Sequence, residues 1–179
     1  MLLGELGLRF TVRATDVDET PLPGEAPGDM VLRLAVAKAA ARAHPGELVL
    51  AADTTVVLDG ELLGKPTDEA EARAMLARIA GREHTVLTAV ALEEPKKDHR
   101  ISAVETSRVR MAVLSPEEIA WYVATGEPMD KAGSYAIQGI GALFVEGVFG
   151  NYTNVVGLPL PLTGRLFRSL GYDLLDFRG

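Results

Sequence analysis

Cysteine is absent from all 179 residues, which excludes disulfides, thiol nucleophiles and thiolate zinc sites together. Histidine is almost as scarce. His44, His84 and His99 stand far apart in the chain, so an imidazole-rich metal site is not expected. Any metal would fall to carboxylates, a donor set that favours Mg²⁺ or Mn²⁺. Basic residues are the minority, 18 against 25 acidic, for a net charge of −7, which argues against a nucleic-acid polymer or an anionic membrane as partner. No basic-then-apolar leader opens the chain, and no uncharged apolar run approaches membrane-spanning length. A cytoplasmic protein is the expectation. The remaining composition, 47% hydrophobic and 24% charged, is ample for a core and suits one domain over residues 1–179.

Residues 1–6 read as the tail of a helix closed by Gly7, and Leu8–Ala14 as a strand followed by a polar loop. Asp29 is a fair N-cap for a helix reaching His44, with Val31, Leu34, Ala35 and Lys38 at helical spacing. Leu48–Leu58 is too apolar for a half-exposed strand and predicts a central one, turned back at Asp59-Gly60. Thr67 is the expected cap of a helix that buries Ala72, Met75, Leu76 and Ile79. Strands are predicted at roughly 84–93 and 103–113 by their apolar content. Ser115-Pro-Glu-Glu118 is a capping box, and Pro159–Leu170 a last helix. Helices and strands interleave, so the fold class is α/β.

The most informative stretch is LVLAADTTVVLDGELLGKP. It places one carboxylate, Asp53, inside an apolar strand and returns Lys65 on a Gly-Lys-Pro corner. A lone carboxylate there costs several kcal/mol unless a cation or donor set compensates it, so Asp53 reads as a metal ligand or a general base. Other groups of the same chemistry are Asp16, Asp18 and Glu19 in DVDET, Arg33 and Lys38 on the preceding helix, Asp130-Lys131, and Gln138. Carboxylates, lysines and a glycine-rich segment are what metal-assisted phosphate chemistry requires. Each residue except Asp53 also has an ordinary reading: turn residues for Asp16 and Asp18, a solvated surface for Glu19, Arg33 and Lys38, a strand former for Thr54, a turn cap for Asp130.

DVDET resembles the nucleophile motif of the haloacid-dehalogenase phosphatases, in which Asp16 would attack phosphate. The later acidic pair that family needs is supplied poorly by GYDLLD. GELLGKP is one residue short of a P-loop and carries proline where serine or threonine is required.

In order, the segments DVDET, RLAVAKA, AADTTVVLDGELLGKP and YVATGEPMDKAGSYAIQGIGALFVEGVFGNYTNVVGLP resemble the Maf family of nucleoside triphosphate pyrophosphatases. That resemblance implies an α/β fold with a mixed sheet flanked by helices, two lobes with a cleft between them, and a homodimer. It also implies divalent-metal-dependent attack of water on the α-phosphate, giving a nucleoside monophosphate and pyrophosphate. Asp53 and Glu19 match the family's acidic site residues and the implied metal ligands. Lys65 and Lys38 match phosphate-binding lysines, Asp130 and Lys131 the D-K-A-G pair, and Gln138 a base-contacting glutamine. Thr54 with Gln138 is similar to the pattern of the dTTP/UTP-preferring branch. The family opens with a strand and a Ser-x-Ser-Pro-Arg-Arg loop that this sequence does not show, since Met1 falls inside the following helix. The expectation is therefore a natural start upstream, or a shortened, weakly active nucleotide-binding protein linked to division control.

Overall fold

The computed structural model describes residues 2–179. A helical turn α1 (Leu2–Glu5) ends at Gly7, whose φ of +72° lies in the left-handed region that glycine adopts without strain. Met1, which the sequence assigns to the same turn, lies outside the described residues. The expected strand at Leu8–Ala14 does not form. Only Leu8 makes a ladder bridge, to Arg178, and the alternating Phe10 and Val12 stay exposed, so the apolar face that would hold a strand in register has nothing to bury against.

Helix α2 (Pro27–Ala40) starts three residues earlier than expected. Pro27 at its first position is pre-set for the helix, and its cap is Ala26 instead of Asp29. Strand β1 (Val49–Leu58) turns through Asp59 (φ 53°) and Gly60 (φ 83°) into β2 (Glu61–Leu63), pairing Val56 with Leu63 and Leu58 with Glu61. Positive φ at both turn residues is the hairpin geometry that an Asp-Gly pair predicts. The N-terminal half of β1 is only partly buried, against the expectation of full burial on both faces. Helix α3 (Glu69–Ile79) is capped by Asp68, which accepts the Glu71 amide at 2.8 Å. Thr67, the expected cap, instead donates its hydroxyl to the Glu71 carboxylate at 2.6 Å.

β3 (Glu83–Glu94) and β4 (His99–Met111) extend into what reads as a charged loop. Helix α4 (Pro116–Ala124) carries the predicted capping box. The glycine-rich segment folds as 3-10 turns, strand β5 (Val145–Phe149) and the short helix α5 (Tyr152–Val156); α6 (Leu160–Ser169) is the last α-helix, followed by a 3-10 turn at Leu174–Phe177. Strand order is β2-β1-β3-β4-β5, with β1/β2 and β4/β5 antiparallel.

The chain divides into two compact units. The first holds the residues up to Asp53, Thr88–Glu105 and Leu158–Gly179; the second holds Thr54–Leu87 and Thr106–Gly157. In the first, Val90, Leu92, Leu162, Leu166 and Phe167 form the core. In the second, Leu76, Ile79, Val86, Val109, Met111, Tyr122 and Val123 are almost wholly buried. Each such large side chain contributes about 1.5–3 kcal/mol by leaving water, so Leu76→Ala would remove about 2–5 kcal/mol once the cavity is included.

Candidate functional site

In the first unit, Lys38 is the point of convergence. It follows Leu34 by four residues and Val31 by seven, so it projects from the buried stripe of α2 and not from the solvent face. Its Nζ lies 2.6 Å from Asp53 Oδ1 and 2.6 Å from Glu19 Oε1. The Lys38 side chain is 18% exposed, Asp53 10% and Glu19 53%. The default of a surface lysine is thus overturned, and Asp53 has the compensating cation its strand position demands. Burial pushes the Lys38 ammonium down, but its bonds to Asp53 and Glu19 outweigh that, so the group is held above its usual value and stays charged.

Glu19 sits on an irregular loop that needs its own anchor. Arg33 donates to Glu25 through Nε at 2.6 Å and Nη2 at 2.7 Å, and to the Thr20 carbonyl at 3.2 Å; Glu25 also accepts the Leu22 amide. These bonds from Arg33, then from Leu22, hold the Glu25 carboxyl down at about 2. Nothing in the sequence assigns Arg33 a partner or singles out Glu25, because a pair eight residues apart across a loop leaves no periodic signal.

A cavity of about 680 Å³ adjoins this group, lined by Glu19, Lys38, Arg13, Arg42 and the strand residues Val49–Ala52. Asp16 is exposed, and Asp18 accepts the Thr20 amide within its own turn. The late acidic pair of GYDLLD is engaged locally, Asp173 accepting from Leu175 and Asp176 from Asp173. The arrangement that a phosphatase nucleophile at Asp16 requires is not assembled.

In the second unit, Thr54, Lys65, Asp130 and Lys131 come together around a cavity of about 220 Å³. Val56, Val86, Tyr135, Ile137 and Val155–Gly157 supply its apolar wall. Lys131 is bonded to Asp130, whose carboxyl is held below the usual range first by that bond. Tyr135 is fixed by His84, with Nε2 at 2.8 Å from the phenol oxygen and the rings edge to face. Burial pushes His84 down to about 4, so the imidazole is neutral at physiological pH. Gln138 is exposed and does not line this cavity, although its neighbour Ile137 does.

Asp53 and Glu19 are hard oxygen donors, and among the described residues no cluster of three or more acidic or histidine side chains could cage a metal. Two carboxylates suit Mg²⁺ when phosphate and water oxygens complete its shell, so the donor set fits that ion only with substrate present.

Carboxylates sharing a lysine, and lysines rimming a half-apolar cavity, define a small α/β protein equipped for phosphate chemistry. The chain belongs to the Maf-like protein family, which matches residues 1–170. It is 54% identical over 175 residues to a dTTP/UTP pyrophosphatase of Anaeromyxobacter dehalogenans strain 2CP-C, covering 97% of this chain and 89% of that one. It is 53% identical to the protein of the same name in Myxococcus xanthus strain DK1622, covering 97% and 88%. The Symbiobacterium thermophilum protein of that name is 50% identical, covering 97% and 89%. Among the described residues no helix is long and apolar enough to cross a membrane.

Proposed function

We propose that this protein is a nucleoside triphosphate pyrophosphatase acting on dTTP and UTP, with residues 1–179 working as one domain. The observation that carries the reading is Lys38 held between Asp53 and Glu19, in a chain that shares half its residues with pyrophosphatases of that specificity. Water attacks the α-phosphorus, the bond to the bridging oxygen breaks, and pyrophosphate leaves with its electron pair. Asp53 takes the proton of the attacking water, and Lys38 keeps the carboxylate oriented while offsetting charge as it builds on phosphate oxygens. Asp53 and Glu19 would hold a divalent cation, Mg²⁺ or Mn²⁺, which when bound neutralises phosphate oxygens and acidifies water. Lys65 and Lys131 bind the phosphate chain and Asp130 holds Lys131 in place. Thr54 contacts the base edge from the cavity wall, and Gln138 contacts it from the exposed segment beside the cavity.

The cytoplasm, where these nucleotides are made, is the place of action on this reading. Exposed Trp121, Leu143 and Phe149 in the second unit support a homodimer, which sedimentation would test. The function is tested by incubating dTTP and UTP with the protein and Mg²⁺ and measuring both products. Pyrophosphate release is expected. Release of inorganic phosphate alone would sink the reading, and binding without turnover would favour a nucleotide-binding protein.

A further inference from the structure

Glu127 stands outside every role assigned above, yet three hydrogen bonds converge on its carboxylate. Its Oε2 accepts the Tyr122 hydroxyl at 2.6 Å and the Gly141 amide at 2.9 Å, while Oε1 accepts the Ile140 amide at 2.9 Å. Tyr122 in turn accepts the Ala136 amide at 3.1 Å. The Glu127–Tyr122 pair therefore grips both ends of the segment 136–141. Between the gripped amides lies Ile137, which lines the 220 Å³ cavity. On the other side, Glu127 opens the 3-10 turn Glu127–Asp130, which delivers Asp130 and Lys131 to the same cavity.

Sterics agree with the bonds. A Cβ at Gly139 would sit 2.1 Å from Glu127 Oε1, and one at Gly141 would sit 2.5 Å from the Tyr122 oxygen and 2.6 Å from the Ala136 carbonyl. Both glycines let backbone amides reach the carboxylate. Tyr122 cannot readily give way, being fully buried and packed edge to face on Phe144 at 5.3 Å. Burial pushes the Glu127 carboxyl up, but the bonds from Tyr122, Gly141 and Ile140 hold it below its usual value, so it remains an anion with acceptors only.

We infer that Glu127 is a positioning residue for nucleotide selection: it fixes the 136–141 segment against the Asp130–Lys131 rim and so sets the shape of the cavity that reads the nucleoside. The inference rests on the pyrophosphatase reading. It assigns Glu127 no contact with substrate.

The test is Glu127→Gln, which keeps size and reach but turns an amide NH₂ towards one of the three donors. Tyr122→Phe accompanies it, keeping the ring and losing the hydroxyl. In Glu127→Gln, KM for dTTP is expected to rise about tenfold with kcat within about twofold, the size of one lost hydrogen bond to a charged group. The ratio of kcat/KM for dTTP over dCTP should fall by a similar factor, and the amides of Ala136, Ile140 and Gly141 should exchange faster. Tyr122→Phe should move the same readouts in the same direction, and it carries the test if Glu127→Gln does not fold. Unchanged exchange overturns the clamp, and faster exchange with an unchanged dTTP/dCTP ratio overturns the role in selection. A wild-type protein that hydrolyses neither dTTP nor UTP overturns the functional reading instead, a result distinguishable because amide exchange needs no turnover.

Discussion

The two constellations use the same residue types in opposite proportion. Around Asp53, two carboxylates enclose one lysine, a local charge of −1; around the smaller cavity, Lys65 and Lys131 face one aspartate, a local charge of +1. The cation of the first is nearly enclosed, whereas Lys131 and Asp130 in the second are 40% and 76% exposed. A proton acceptor must be pre-oriented before the reaction, so rigidity belongs with Asp53. Holding a flexible polyanion needs only positive charge within reach, and the solvent-accessible lysines at the cavity rim serve that purpose.

The widest separation of the two groups comes from Asp53→Asn. Pyrophosphate release is expected to fall about 10²–10⁴-fold, the usual contribution of a positioned general base, with circular dichroism unchanged. Retained activity would remove Asp53 from the chemistry.

Next in size are two pH windows, one for each region. His84, held at about 4, is neutral in the folded protein while its unfolded counterpart, near 6.5, takes up a proton. Its contribution is therefore complete above pH 6.5 and lost as pH falls towards 4, a loss on the order of 3 kcal/mol. Glu25, held at about 2, contributes above its ordinary 4.5 and loses that contribution only as pH falls from there towards 2. Thermal melts against pH should show that His84→Gln flattens the upper window and Arg33→Gln the lower one. Crossed effects would mean that the two regions do not titrate separately.

Smaller again is the contrast between Glu19→Gln and Lys65→Met. Removing half-exposed Glu19 should lower kcat about tenfold, and removing Lys65 should raise KM by a similar factor, each about the value of one charge-assisted hydrogen bond. Steady-state kinetics with dTTP distinguishes them, and a reversal of kcat and KM effects would exchange the roles given to the two regions. The smallest effect serves as control. Arg73→Ala breaks an exposed helical pair with Glu69 (3.2 Å) and should shift stability by less than about 0.5 kcal/mol in a denaturant melt.

The features legible in the amino-acid sequence are local ones. The Asp59-Gly60 hairpin, the Ser115 capping box and the buried stripe of α3 each depend on neighbours a few residues away, and all three form. Asp53 is legible because an unpaired charge in an apolar strand is a physical contradiction that demands a partner. Lys38 supplies that partner from the buried stripe of α2, although a lysine on a helix is a surface residue by default. Leu8–Ala14 misleads because alternation of apolar residues makes a strand only where a sheet offers an edge and a core to face. Glu127 leaves no trace in the pattern, since its significance lies in amides nine to fourteen residues away that the backbone must bend to present.

Asp53 and Thr54 are consecutive residues of one strand, and successive strand side chains point to opposite faces. The Asp59-Gly60 turn fixes the pairing of Val56 with Leu63 and so sets the phase of everything before it. A single-codon insertion between Thr54 and Asp59 would rotate Asp53 away from Lys38 while leaving every side chain intact. The segment should therefore tolerate many substitutions but almost no change in length, and a library of one-residue insertions along β1 would map the boundary of that intolerance.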